Sequence, residues 1–148
     1  MAAAHDIERN KNVIRRFYEE SHNGNLEIYD ELFAPEFASY TSATGKPLIG
    51  PEAFKQAYIM YTSAFPDFNT TIDMIIAEND LVMVYGPASG THEGNFMGLE
   101  PTGKKLEWTG VAIYRFNDAG MIDARWQEID GLRLFAQLGL IPAMFAGG

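Results

Sequence analysis

The sequence predicts an α+β fold: three N-terminal helices, then an antiparallel meander. Three observations point to it. Apolar residues recur at helical spacing up to Phe65, and strand-like alternation takes over after Pro66-Asp67. Leu106 to Asp130 reads as two long strands around the polar turn Asn117-Asp118-Ala119-Gly120, whose glycine is free to take positive φ. Strands that follow helices as a block, rather than alternating with them, mark the α+β class.

Residues 6 to 22 form the first expected helix. Ile7, Ile14, Phe17, Tyr18 and Ser21 fall on one side, and Glu8, Arg9, Lys11, Arg15 and Glu19 on the other. Asn23-Gly24 ends it. Asn25 is the expected cap of a short second helix carrying Leu26, Tyr29, Leu32 and Phe33, and Pro35 its expected stop. Glu36 to Thr41 reads as a short strand, followed by a loop through Gly45 and Pro47. Gly50-Pro51 opens a third helix, proline being tolerated in the first position, and Ala53, Phe54, Ala57, Tyr58, Tyr61, Ala64 and Phe65 give it a wide apolar stripe.

Phe68 to Ala77 and Leu81 to Ser89 are expected strands around a turn at Glu78-Asn79-Asp80, with Thr91 and His92 following. Gly94, Gly98 and Pro101-Thr102-Gly103 mark a loop before the long hairpin. On the hairpin's second strand, alternation puts Asp123, Arg125, Gln127 and Ile129 on one face, and Ile122, Ala124, Trp126, Glu128 and Asp130 on the other. Neither face is cleanly polar, so both are expected to be covered. Leu132, Leu134, Phe135 and Leu138 make a last short helix ended by Gly139, and the tail from Ile141 to Gly148 is apolar. A strongly curved sheet with the helices packed into its concave side would leave a hollow, and such hollows are where small molecules bind.

The totals exclude several classes. A chain of 148 residues with 47% hydrophobic content is a single globular domain by expectation. A net charge of −9 argues against nucleic acid and against an anionic membrane surface. The absence of cysteine removes disulfides and thiolate-bound metals. No apolar run reaches the roughly 18 residues of a membrane span, and the start, Met1 to Asp6, lacks signal-peptide character. A cytoplasmic protein is expected.

The order of short segments carries a resemblance. Phe17-Tyr18-Glu19-Glu20, Asn23-Gly24-Asn25-Leu26, Gly50-Pro51-Glu52-Ala53-Phe54 and Phe65-Pro66-Asp67 come first. Gly90-Thr91-His92-Glu93-Gly94, Pro101-Thr102-Gly103, Gly110 to Phe116, Trp126 to Asp130 and Gln137-Leu138-Gly139 complete the set. Over residues 8 to 140 the chain resembles SnoaL-like proteins, the polyketide cyclase branch of the nuclear-transport-factor-2-like superfamily. The resemblance implies a cone, in which a curved antiparallel or mixed sheet wraps around the three N-terminal helices and leaves a deep cavity, and homodimers or homotetramers formed through the sheet's outer face. Val111, Ile113, Ile122 and Trp126 are the apolar candidates for that face.

The resemblance also implies where a base should be. The family's acidic base and assisting histidine align with Gln127 and Ala112, neither of which exchanges a proton near neutral pH. The carboxylate–arginine–carboxylate set of the family's epoxide hydrolases falls on Ala112, Gly110 and Gln127 and is equally absent.

Other residues must therefore carry any chemistry. His92 is the first candidate for proton transfer, against a reading as an idle loop histidine. Asp130 is the nearest carboxylate, against a reading as the cap of the last helix. Gln127 and Arg125 are candidates to orient a carbonyl or hold an enolate, although an arginine there could instead pair with Asp123 or Asp73. His22 and Tyr40 are expected to line the pocket, with Tyr18, Phe65, Phe96, Trp108 and Tyr114 as its walls or as ordinary core.

His5, His22 and His92 have no metal-ligand spacing, and no phosphate loop or dinucleotide fingerprint is present, so no cofactor is expected. The leading expectation is a cofactor-free enzyme performing ring closure, or a related acid/base step, on a hydrophobic polyketide- or terpenoid-like molecule. Epoxide opening or hydration in the same cavity, and small-ligand binding without turnover, are the alternatives.

Overall fold

A computed structural model describes residues 6–41 and 45–145; His5 and the end of the apolar tail lie outside them. Helix α1 spans Ile7–His22, capped by the Asp6 side chain, which accepts from the Arg9 amide at 2.9 Å. Its buried positions, Asn10, Ile14, Phe17 and Ser21, keep helical spacing, whereas Ile7 is exposed in the first turn. Helix α2 is only Ile28–Leu32. Asn25 does not cap it: its amide donates to Glu20 Oε1 at 2.9 Å, and the helix starts after Glu27 instead.

Nor does Pro35 act as a stop. The chain passes from α2 straight into strand β1, Phe33–Thr41, with Pro35 inside it. Proline fits there because the pairing with the neighbouring strand shifts register between Phe33 and Ala38, where no ladder amide is required. Strand β2, Leu48–Ile49, pairs with β1, and helix α3, Pro51–Ala64, begins after Gly50 at φ 89°. That positive φ is a conformation glycine adopts freely.

Strands β3, Asn69–Thr70, and β4, Met74–Glu78, replace the single expected strand. Both pair with β5, Leu81–Thr91, which continues through β6, Lys105–Phe116, to β7, Ile122–Ile129. The sheet order is β2-β1-β7-β6-β5-β3, with β4 also on β5, and the sheet is curved but unclosed. All pairings are antiparallel except β1 with β7, so the sheet is mixed rather than a pure meander. Helix α4, Gly131–Gln137, and a 3-10 turn at Ala143–Phe145 follow.

A bulge corrects the predicted faces of β7. Arg115 lies opposite Ala124 and Phe116 opposite Ile122, leaving Asp123 as the extra residue. Ile122 is thereby turned into the core at 0% exposure and removed from the outer face. Asp123 instead meets Arg115, at 2.8 Å. From Ala124 onward the alternation holds, with Arg125, Gln127 and Ile129 facing inward and Trp126 outward.

The core has two parts. In one, Ile14, Phe17, Tyr29, Phe33, Phe37 and Phe54 of the helices and β1 meet Val82, Tyr114 and Phe116 of the sheet. In the other, Phe65, Phe96, Leu106 and Trp108 meet Leu134 and Leu138 of α4. Among the described residues no helix is long and apolar enough to cross a membrane.

Candidate functional site

Between the helices and the concave face of the sheet lies a cavity of about 430 Å³. Its walls are mostly aromatic and aliphatic: Phe17, Phe54, Tyr61, Phe68, Phe96 and Trp108 among them. The polar side chains that reach it are few, and the strongest of them is charged.

Arg125 is 8% exposed. Strand register explains its surroundings: in the sheet Ser39 of β1 and Tyr114 of β6 are its direct partners on either side. Their side chains project to the same face. Arg125 Nη1 donates to Ser39 Oγ at 3.1 Å, and Nε approaches Tyr114 Oη at 3.4 Å. The guanidinium carbon lies 4.8 Å from the Phe54 ring centroid and 5.7 Å from that of Tyr114. Among the described residues no carboxylate pairs with Arg125, and none lines the cavity. The arginine–carboxylate pair that does form on this hairpin is Arg115 with Asp123.

Tyr18 Oη is 3.0 Å from Tyr114 Oη, which links α1 to the arginine through one phenol. Burial pushes the Tyr18 phenol well above its ordinary value, and the neighbouring Tyr114 adds to the rise. Tyr18 is therefore a proton donor at neutral pH, not a base. Gln127 lines the same wall opposite Ala112, and its amide makes no hydrogen bond among the described residues.

His22 also lines the cavity, and both ring nitrogens are engaged. Nδ1 is 2.8 Å from the Tyr18 carbonyl oxygen, which can only accept, so Nδ1 carries the proton. Nε2 accepts from the Thr70 amide at 3.0 Å. The lone pair that a general base needs is already occupied. Burial lowers the His22 pKa, the bond to the Tyr18 carbonyl opposing it in part.

A pH dependence follows from that direction. Below the ordinary histidine range the unfolded chain takes up a proton that folded His22 resists. The stability contributed by neutral His22 is present above that range and is lost as pH falls through the lowered folded value. His22→Gln is expected to flatten the decline of melting temperature between about pH 7 and pH 5; an unchanged slope would exclude His22 as its source.

Four sequence candidates lie elsewhere. His92 stands just past β5 at 0% exposure, its ring 5.6 Å from Phe65 and 6.3 Å from Phe96, outside the cavity wall. Its Nδ1 accepts from the Thr102 amide at 3.3 Å, and its backbone bonds to Lys104 and Gly103, so it pins both ends of the 93–104 loop. Of the two readings open for Phe65, wall or ordinary core, the structure shows core: it packs in the second cluster and does not line the cavity. Asp130 caps α4, accepting from the Arg133 amide at 3.0 Å. Tyr40 points to the outer face, 43% exposed and stacked on Trp126 at 5.8 Å between centroids. By contrast Tyr18, His22, Phe96, Trp108, Tyr114, Arg125 and Gln127 are brought together on one cavity.

Ser39, Phe54 and Thr70 join them without having been singled out. The signal for Ser39 was present in the alternation Phe37, Ser39, Thr41, a small hydroxyl at an inward position of a strand.

The family model for SnoaL-like polyketide cyclases matches residues 12–138. The chain belongs to the SnoaL-like polyketide cyclase family. Solved relatives of this SnoaL-like chain agree with that assignment. IdmH of Streptomyces antibioticus, named as a proposed polyketide cyclase, is 32% identical over 88% of this chain and 98% of its own, with a TM-score of 0.77. AclR of Streptomyces galilaeus, named as a proposed hydroxylase, is 25% identical over 93% of this chain and 85% of its own, with a TM-score of 0.81. A SnoaL-like protein of Jannaschia sp. CCS1 shares the fold at a TM-score of 0.84 and 19% identity, over 96% of this chain and 99% of its own. Among curated protein sequences none matches the chain.

Proposed function

We propose that this SnoaL-like protein is a cofactor-free enzyme closing a ring on a flat, hydrophobic, polyketide-like carbonyl substrate, by intramolecular aldol-type addition. The observation that carries the reading is Arg125: a buried guanidinium, without a carboxylate partner among the described residues, on an otherwise aromatic-lined cavity. Such a group, aimed where negative charge develops, is worth most where water is excluded. The kinship with IdmH supports the reaction class.

The residues define the division of labour. With no carboxylate on the wall among the described residues and the lone pair of His22 in use, the substrate must bring its own acidity, as a methylene between two carbonyls does. That carbon gives its proton to water and attacks a second carbonyl of the same molecule. The new carbon–carbon bond forms as the carbonyl π bond breaks toward oxygen. Arg125 holds the resulting oxyanion by its charge, and the Tyr114–Tyr18 pair hands it a proton, which solvent restores. Gln127 orients the carbonyl through its free amide. The exposed Tyr40–Trp126 stack and Arg115 beside it make the sheet's outer face the proposed contact between copies.

An aryl 1,3-diketone carrying a pendant ketone, which changes chromophore on closure, tests the reading. The protein is expected to accelerate closure, and Tyr18→Phe to lose about tenfold of that acceleration. The missing carboxylate favours one second reading, a ligand-binding protein without turnover. A diketone that raises the melting temperature yet returns unchanged would establish that reading and exclude ring closure.

A further inference from the structure

We infer that the ligand of this cavity arrives already negatively charged: a flat ring system bearing a planar two-oxygen anion, either a carboxylate or the ionised enol of a β-dicarbonyl, docked on Arg125. The inference rests on the proposed site being the ligand site, and goes beyond it by fixing the ground-state charge of what binds.

The argument is electrostatic. Taking a cation out of water is costly unless an opposite charge accompanies it. Arg125 is more than nine-tenths buried, and its contacts are neutral: one serine hydroxyl, one phenol and two aromatic faces. Tyr18, next in the chain of contacts, is held protonated and supplies no countercharge. Nη2 makes no hydrogen bond among the described residues, so one edge of the fork is unspent.

That edge matches a planar anion, which a guanidinium grips through two parallel N–H donors. The aromatic walls then take the ring system: Phe54 lies over the guanidinium itself, and Trp108, Phe68 and Phe96 stand farther along the cavity. A neutral carbonyl ligand would leave the cation uncompensated.

Trp108 lies on the cavity wall, so its fluorescence reports occupancy by chosen probes. Two-naphthoate is expected to bind about tenfold or more tightly than methyl 2-naphthoate, which has the same rings without the charge. Arg125→Met is expected to abolish that preference, and Arg125→Lys to keep part of it. A third arm, 2-acetyl-1,3-indandione, is an ionised enol without a carboxyl group. Tighter binding of the indandione than of naphthoate identifies the enolate as the source, and the reverse order identifies the carboxylate.

Equal affinity for acid and ester, preference for the ester, no binding of either anion at millimolar concentration, or an acid preference that survives Arg125→Met would overturn the inference. Failure here is separable from failure of ring closure. A neutral diketone that closes on the protein while naphthoate shows no preference leaves the reaction and removes the anion. Naphthoate held through Arg125 beside an inert diketone does the opposite.

Discussion

Replacing Arg125 with methionine is expected to make the protein harder to melt while removing about a hundredfold of any rate acceleration at the site. The two effects have one cause. Arg125 is buried without a carboxylate among the described residues, so the fold carries a desolvation cost that its neutral contacts offset only in part. Stacking on Phe54 and Tyr114 offsets about 2 kcal/mol of it. Methionine is unbranched and flexible enough to follow much of the same path through the cavity wall.

A gain of about 1–3 kcal/mol is expected from the exchange, or a rise in Tm of about 5 °C. The loss that works against it is at Ser39, fully buried, whose hydroxyl would lose its guanidinium partner. The double variant Arg125→Met, Ser39→Ala removes that loss and should melt higher still. A fall in Tm for both variants would mean that Arg125 is there to hold β1, β6 and β7 together, and the functional reading would lose its main support.

What was readable in the sequence is what short-range pattern controls. The faces of α1 and α3, the turn at residues 117–120 and the paired strands β6 and β7 all follow from spacing that a window of a dozen residues contains. So does the placement of Arg125 and Gln127 on one face, because both lie beyond the bulge.

The departures are of another kind. Pro35 reads as a helix stop until β7 runs parallel beside it with a register shift at that place. Asp123 reads as inward until its extra residue turns it toward Arg115. His92 has the residue type for catalysis, but Thr102, ten residues on, takes its Nδ1 and folds the loop over it. Each of these is decided by a partner across a strand register or a loop, and the periodicity of a residue's own segment carries no information about such partners.

Gly86→Ala is expected to be among the most damaging single-methyl changes in the chain, costing about 3 kcal/mol or more and lowering Tm by about 10 °C. Gly86 lies in β5, where the edge chain crosses over it between β3 and β4. The Thr71 amide bonds to the Pro87 carbonyl at 3.1 Å and the Asp73 amide to Tyr85 at 2.9 Å, so the crossing segment straddles the glycine. A Cβ on Gly86 would overlap the Thr71 carbonyl oxygen and stand 2.9 Å from its carbon and 3.2 Å from the Asp73 nitrogen. All of these are backbone atoms, which cannot rotate away. The edge must lift, breaking both bonds, and with it Thr70, whose amide holds His22 on the cavity wall.

Gly110 supplies the control, because it is the direct partner of Gly86 in the ladder and lines the same cavity. A Cβ there would meet the Ile129 Cγ2 methyl at 3.2 Å and the Glu128 carbonyl oxygen at 3.3 Å. The first is the end of a side chain and the second needs a shift of only tenths of an ångström. Gly110→Ala should therefore cost about 1 kcal/mol. The contrast between two paired glycines tests the crossing itself: equal costs would mean that the break between β3 and β4 is not held by the absence of a side chain at Gly86. A large difference would show the sheet's edge and the position of His22 resting on one missing methyl.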